Sequence, residues 1–216
     1  VHAALLPQYR GAAPINWAVI NGETKTGVTT FFLDHDIDTG RIIMQKEFPI
    51  PDNADVEYVY DGLMALGADI CIETVDAVIN TDGNVPSQPQ REDLPLKSAP
   101  KLFKETCLIN WNKEAKQVYD FVRGLSPVPG AWCEIVHNDE KPVVMKIFRT
   151  AKTDKPLTAK DQPGDICAEG QHLLIAAADK WLEIVELQLA GKKRMMAKDF
   201  LNGYDIKGKR VFMNFE

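Results

Sequence analysis

The hydrophobic pattern changes character several times along the chain. Residues 12–21, AAPINWAVIN, predict a short helix, with Pro14 acceptable in its first turn. TGVTTFFL (26–33) is rich in β-branched and aromatic residues and reads as a strand. The polar segment 34–40 reads as a loop, and RIIMQKEFPI (41–50) as a second strand that ends at its prolines, so the three together predict a hairpin. PDNAD then supplies capping residues for a helical region in which Val56, Val59, Leu63 and Leu66 recur at three- and four-residue spacing. Gly67 punctuates this face, and Ile70, Val75 and Ile79 carry a second apolar-periodic stretch.

After Gly83 the chain turns proline-rich and loses its periodicity, which reads as a linker. The second half opens on an amphipathic helix over 112–125, with Ala115, Val118, Phe121 and Val122 on one face. Short strand-like runs follow: AWCEIV, VVMKIFRT, GDICAE, HLLIAAA, WLEIVELQL and RVFMNF. Their spacing predicts a five- to six-stranded barrel carrying one helix. The predicted organisation is two domains, 1–98 and 99–216.

Composition narrows the class. The chain has 216 residues, of which 45% are hydrophobic and 26% charged, values of an ordinary globular protein rather than a disordered or fibrous one. No apolar run approaches the ~20 residues of a membrane span, and the opening residues do not read as a signal peptide. The four cysteines at 71, 107, 133 and 167 form no CxxC pair, so zinc spacing is absent and reduced thiols in a cytoplasmic protein are the expectation.

Charge is divided unevenly. The overall net charge is −6, but residues 1–96 carry −10 and residues 97–216 carry +4. Within the second part, 190–210 holds seven basic and two acidic residues, which suggests two domains with different partners.

Taken singly, the chemistry-bearing residues are ambiguous. A lone His2 is more often packed or solvated than catalytic. Asp34, Asp36 and Asp38 alternate as in a calcium loop, yet no Glu stands twelve positions on and no central Gly is present, so a metal is not expected. The basic run Lys192, Lys193, Arg194 and Lys198 reads equally as a solvated loop or as a phosphate-binding surface.

Taken together they are far more specific. His-Ala-Ala-Leu-Leu-Pro-Gln-Tyr-Arg-Gly (2–11), Thr-Gly-Val-Thr (26–29) and Asp-Thr-Gly (38–40) stand in order within about forty residues. The chain thereby resembles the formyltransferase family that uses 10-formyltetrahydrofolate. Within it, residues 109–132 and 190–203 are most similar to the branch acting on methionyl-tRNA. The resemblance implies an α/β fold: the C-terminal portion of a Rossmann-like formyltransferase domain, followed by a small OB-like β-barrel. It implies that His2 and Asp38 are catalytic and that Ala4, Leu5, Leu6 and Pro7 contact the folate, with Ala4 in place of the usual Ser. It also implies that Lys192, Lys193, Arg194 and Lys198 contact initiator tRNA.

These residue types suit formyl transfer. An amine attacking a formyl carbon generates an oxyanion, and a proton must pass from the amine to the departing nitrogen. A His with an ordinary pKa of ~6.5 can donate to the oxyanion and shuttle the proton, and a nearby carboxylate can orient it. The family also has an Asn two residues before the His, which here would precede Val1. Loss of such a donor costs ~10²–10³ in rate, so the chain as written is expected to be a fragment without activity of its own. The remaining expectations are a monomer, no metal and no membrane. Two other readings are an amino-sugar formyltransferase and a non-catalytic tRNA-binding module; the basic C-terminal segment is what a sugar substrate would not require.

Overall fold

The computed structural model describes residues 1–137 and 140–213, and the chain divides into two compact units, Val1–Leu102 and Phe103–Glu216.

The first unit is α/β. Strand β1 (Arg10–Gly11) leads into helix α1 (Pro14–Ile20), whose proline stands in the first turn as the sequence predicts. Strands β2 (Lys25–Phe31) and β3 (Ile42–Pro49) form the expected antiparallel hairpin, with Thr29 opposite Gln45. Helix α2 (Val56–Asn80) packs across both strands, and the Asp55 side chain caps it by accepting from the Tyr58 N–H at 3.0 Å. Val59, Leu63 and Ile70 of α2 meet Val19, Val28 and Ile50 in the core.

Two predictions for this unit need correction. Helix α2 runs unbroken through Gly67, with Leu63 before it and Ile70 after it both packed into the core. Val75 and Ile79 are exposed, so the second apolar stretch is not a core face here. The proline-rich segment is not a free linker either. Its residues run back along the first unit, and Ser98–Ala99 (β4) pairs in parallel with Arg10–Gly11.

The second unit opens on a single 3-10 turn and helix α3 (Ala115–Leu125), at whose start Glu114 N–H donates to Gln117 Oε1. Its strands are β5 (Ala131–His137), β6 (Val143–Pro156), β7 (Ile166–Glu169), β8 (His172–Ala176), β9 (Lys180–Leu189), β10 (Met195–Met196) and β11 (Lys209–Val211). They pair antiparallel in the order β11-β5-β6-β9-β8-β7, with β10 added to β9. The two ends of this path nearly meet: Val211 N donates to Gly164 O at 2.8 Å and Asp165 bridges to Arg210, curling the sheet into an almost closed barrel.

Ile147, Leu173, Ile175, Leu182, Ile184 and Leu187 fill its interior. The two register shifts around Arg149 let the long β6 bend around this core, where the sequence pattern predicts a strand ending at Thr150. A further helix, α4 (Ala197–Gly203), was not predicted; its Ala197 and Phe200 are buried. In the last predicted strand, RVFMNF, residues beyond 213 lie outside the described part. All four cysteines are free thiols. Among the described residues no helix is long and apolar enough to cross a membrane, and no group of three His, Cys, Asp or Glu side chains is placed to hold a metal.

Candidate active site

His2 stands at the edge of the hairpin. Its backbone exchanges hydrogen bonds with Thr29 of β2 at 2.8 and 2.9 Å, which fixes the start of the 2–11 segment against the strand. The segment then folds back, through a cis peptide bond at Leu6–Pro7 and a left-handed Tyr9 at φ 60°, so that the Tyr9 carbonyl faces the ring it has just left. His2 Nε2 lies 2.8 Å from Tyr9 O. A carbonyl only accepts, so Nε2 carries the proton in either charge state. Nδ1 then faces Asp38 Oδ2 at 3.7 Å, and the edge of the ring meets Phe31. His2 as a whole is 8% exposed.

Asp38 sits in the hairpin loop with its own backbone in the left-handed region, φ 57°. Its Oδ2 accepts from the Gly11 N–H at 2.9 Å. Gly11 is required at that point: its φ is 127°, and a methyl there would come within 2.4 Å of the Ala99 carbonyl. Residues 36 positions apart in sequence are thus brought to one place. Asp34 and Asp36 are exposed, in keeping with their reading as loop residues.

Thr29, fully buried, is the hub beneath the 4–7 segment. Its hydroxyl donates to Ala4 O at 2.6 Å and accepts from Leu6 N at 3.2 Å and from Gln45 Nε2 at 2.9 Å, while Gln45 also donates to Leu6 O. Ala4 and Leu6 are buried, so their carbonyls and the Leu6 N–H serve the fold; Leu5 and Pro7 are the half-exposed members.

Tyr9 was missed from sequence because its contribution is a backbone carbonyl. Its left-handed peptide is held from both sides. Tyr9 N donates to Lys97 O at 2.6 Å, and the phenol donates to Glu23 Oε1 at 2.6 Å, which also receives Lys97 Nζ at 2.6 Å. Burial, and then the Glu23 hydrogen bond, push the phenol pKa well above its ordinary value. Burial works against ionisation of Glu23, but hydrogen bonds from Lys97 and Tyr9 hold its carboxyl below the usual range.

The basic residues belong to the second unit. Lys192, Lys193 and Arg194 lie in the turn between β9 and β10, and Lys198 lies in the first turn of α4. All four are exposed. Arg194 is engaged, however: its guanidinium makes two bonds to Glu186 at 2.7 and 3.0 Å and lies 4.2 Å over the Phe148 ring. An open groove of about 630 Å³ in the same unit mixes Lys155, Lys209 and Arg210 with Asp161, Asp165 and Glu169, so it presents no single sign of charge.

Residues 1–75 match a family described as formyl transferase, and residues 101–205 match one described as formyl transferase, C-terminal domain. The methionyl-tRNA formyltransferases of Bacteroides fragilis and Phocaeicola vulgatus are 52% identical over 210 residues and 53% over 209. The alignments cover 95% and 94% of this chain and 64% and 63% of those relatives, so the chain spans a little under two thirds of their length. Among solved structures, HypX from Aquifex aeolicus in complex with tetrahydrofolic acid aligns at a TM-score of 0.62 and 22% identity, over 96% of this chain and 35% of that one. The sugar 3N-formyltransferase WlaRD aligns at 0.62 and 21%, over 89% and 65%. The two matches fall in chain order, 1–75 within the first compact unit and 101–205 almost wholly within the second, and the His2–Asp38 pair lies within the first match: the chain belongs to the formyl transferase family.

Proposed function

We propose that the protein transfers a formyl group from 10-formyltetrahydrofolate to the amino group of methionine on initiator methionyl-tRNA, as a methionyl-tRNA formyltransferase. The observation that carries the chemistry is the buried His2 ring, with Nε2 committed as a donor to Tyr9 O and Nδ1 turned to the Asp38 carboxylate. The acceptor rests on relatives of that name at about half identity along 95% of the chain.

Bound folate would supply the activated formyl carbon. Leu5 and Pro7 offer it apolar surface, while the Ala4 carbonyl and both the N–H and the carbonyl of Leu6 are already used by Thr29 and Gln45. Ala4 therefore supports the folate segment from beneath rather than touching the ligand. With Nε2 fixed, Nδ1 is the nitrogen that changes protonation state. Asp38 takes the proton of the attacking amine, directly or through one water, and passes it to Nδ1 of His2. The resulting Nδ1–H donates to the developing oxyanion and delivers that same proton to the leaving nitrogen, which returns both groups to their starting state. The second unit, whose barrel we read as OB-like and whose domain we place at 99–216, holds the tRNA through phosphate contacts from Lys192, Lys193 and Lys198. Arg194 braces the turn that presents them. A cytoplasmic monomer suits this role.

Incubation of the full-length gene product with 10-formyltetrahydrofolate and methionyl initiator tRNA should yield formylmethionine by mass spectrometry after deacylation. The product should vanish with His2→Ala or Asp38→Ala. Binding of tRNA without product would favour a non-catalytic module, and neither binding nor product would favour an amino sugar as acceptor.

A further inference from the structure

The segment between α2 and β4 reads as a linker, yet its side chains reach the loop that carries Asp38. Gln88 exchanges backbone hydrogen bonds with Ile42 at the start of β3. Arg41 donates to Ser87 through Nε and Nη2. Two residues further on, Gln90 Nε2 donates to Asp38 O at 2.7 Å and to Gly40 O at 2.8 Å, so one amide nitrogen clamps the carbonyls on both sides of Thr39. Gln90 Oε1 in turn accepts from Arg10 Nε at 3.1 Å and Nη2 at 2.8 Å. Both donors and the acceptor of the amide are therefore used, and its orientation is determined by chemistry: only the NH₂ can serve two carbonyls, and only the oxygen can serve a guanidinium.

Arg10 is also the neighbour of Gly11, whose N–H holds Asp38 Oδ2. The Asp38 residue is thus fixed by its carboxylate from β1 and by its carbonyl from Gln90, and the two anchors are joined through Arg10. A non-glycine residue keeps a left-handed backbone only where its surroundings hold it there, and Asp38 is such a residue.

We propose that Gln90 is a positioning residue for the reaction: it sets the Asp38 carboxylate at its distance from His2. The role rests on the function proposed above. Gln90 has no place in the motifs of the 2–40 stretch, and nothing in its sequence neighbourhood marks it apart from its prolines. Ser87, three residues earlier, ties down the same segment without touching residues 38–40, and so serves as the control.

The test uses the full-length protein with Gln90→Met, Gln90→Glu and Ser87→Ala. Met keeps the volume and removes both donors; Glu keeps the acceptor for Arg10 and removes both donors. Each Gln90 variant should lower kcat for formyl transfer by about 10–100-fold, with KM for the folate changed by less than about twofold. Ser87→Ala should retain wild-type kcat. In an Asp38→Asn background the Gln90 effect should collapse to near onefold, because the two residues act as a unit. A kcat unchanged by both Gln90 variants, or an effect undiminished in the Asp38→Asn background, overturns the proposal. A second readout needs no activity: the Gly11 amide resonance, which reports where Asp38 Oδ2 lies, should move in Gln90→Met and stay in Ser87→Ala. An unmoved Gly11 amide in Gln90→Met also overturns it. Absence of formyl transfer in the wild type would remove the proposed reaction, and the Gly11 amide would still decide whether Gln90 positions Asp38.

Discussion

The carbonyl of Tyr9 accepts the Nε2–H of His2 at 2.8 Å, from a peptide that the Tyr9 phenol itself locks by donating to Glu23. One residue therefore dictates the protonation site of a ring seven positions away, and its side chain does so only through its own backbone.

Replacing Tyr9 by Phe tests this lock at alkaline pH. The phenol pKa is raised in the folded chain, so folding holds that proton more tightly than the unfolded state does. Its contribution is full below about pH 10, the ordinary tyrosine value, and is lost as pH rises toward the folded value. Tyr9→Phe should cost about 1 kcal/mol at neutral pH. The gap between variant and wild type in chemical denaturation should then narrow as pH rises above about 10.

In the proposed reaction His2 and Asp38 pass one proton between them, so their substitutions should not add. His2→Gln and Asp38→Asn are each expected to lower kcat by about 10²–10⁴-fold, and the double variant should be little worse than the poorer single one. Steady-state rates for the full-length protein give the comparison directly.

The four basic residues divide by their partners. Lys193→Ala and Lys198→Ala should each reduce the slope of log affinity for tRNA against log salt by about one, with the melting temperature unchanged. Arg194→Ala removes the Glu186 pair and the Phe148 contact, so its main effect should be a lower melting temperature. Filter binding across a salt series, beside thermal melts, separates the two outcomes.

Helix α3 carries a buried ion pair, Asp120 with Arg123, flanked by the more exposed Lys116. Asp120, 4% exposed, accepts from Arg123 Nε at 2.8 Å and from Lys116 Nζ at 2.5 Å, and Arg123 is itself 7% exposed. Asp120→Ala removes the carboxylate from beside a buried guanidinium and should destabilise by about 3–5 kcal/mol in urea denaturation.

Much of the fold was legible because it depends on local pattern. The hairpin follows from β-branched runs on either side of a polar loop, the α2 start from Asp55, and α3 from its apolar spacing. His2 and Asp38 were legible for another reason: their motifs stand close together in sequence and resemble a family. Helix α4 escaped notice because AKDFLNG is short and lies in a charge-rich stretch, where only Phe200 and Ala197 signal a buried side. The extension of β6 escaped because its outer residues, from Ala151 to Pro156, lack apolar alternation and are ordered by pairing with β9. Gln90 and Tyr9 were illegible in principle. One acts across 52 positions on a carbonyl, and the other acts through a carbonyl of its own.

By itself the sequence determined the succession of elements, the two-part division of charge and the residue types able to move a proton, because these depend on composition and on spacings within a turn or a strand. Only the tertiary structure decided which nitrogen of His2 faces Asp38, which backbone atoms of the 4–7 segment are already hydrogen-bonded, and that Arg194 is held by Glu186 while Lys193 is not drawn into that pair. Those outcomes depend on hydrogen-bond partners that the chain brings together from distant positions, and directional bonds of that kind leave no periodic trace in sequence.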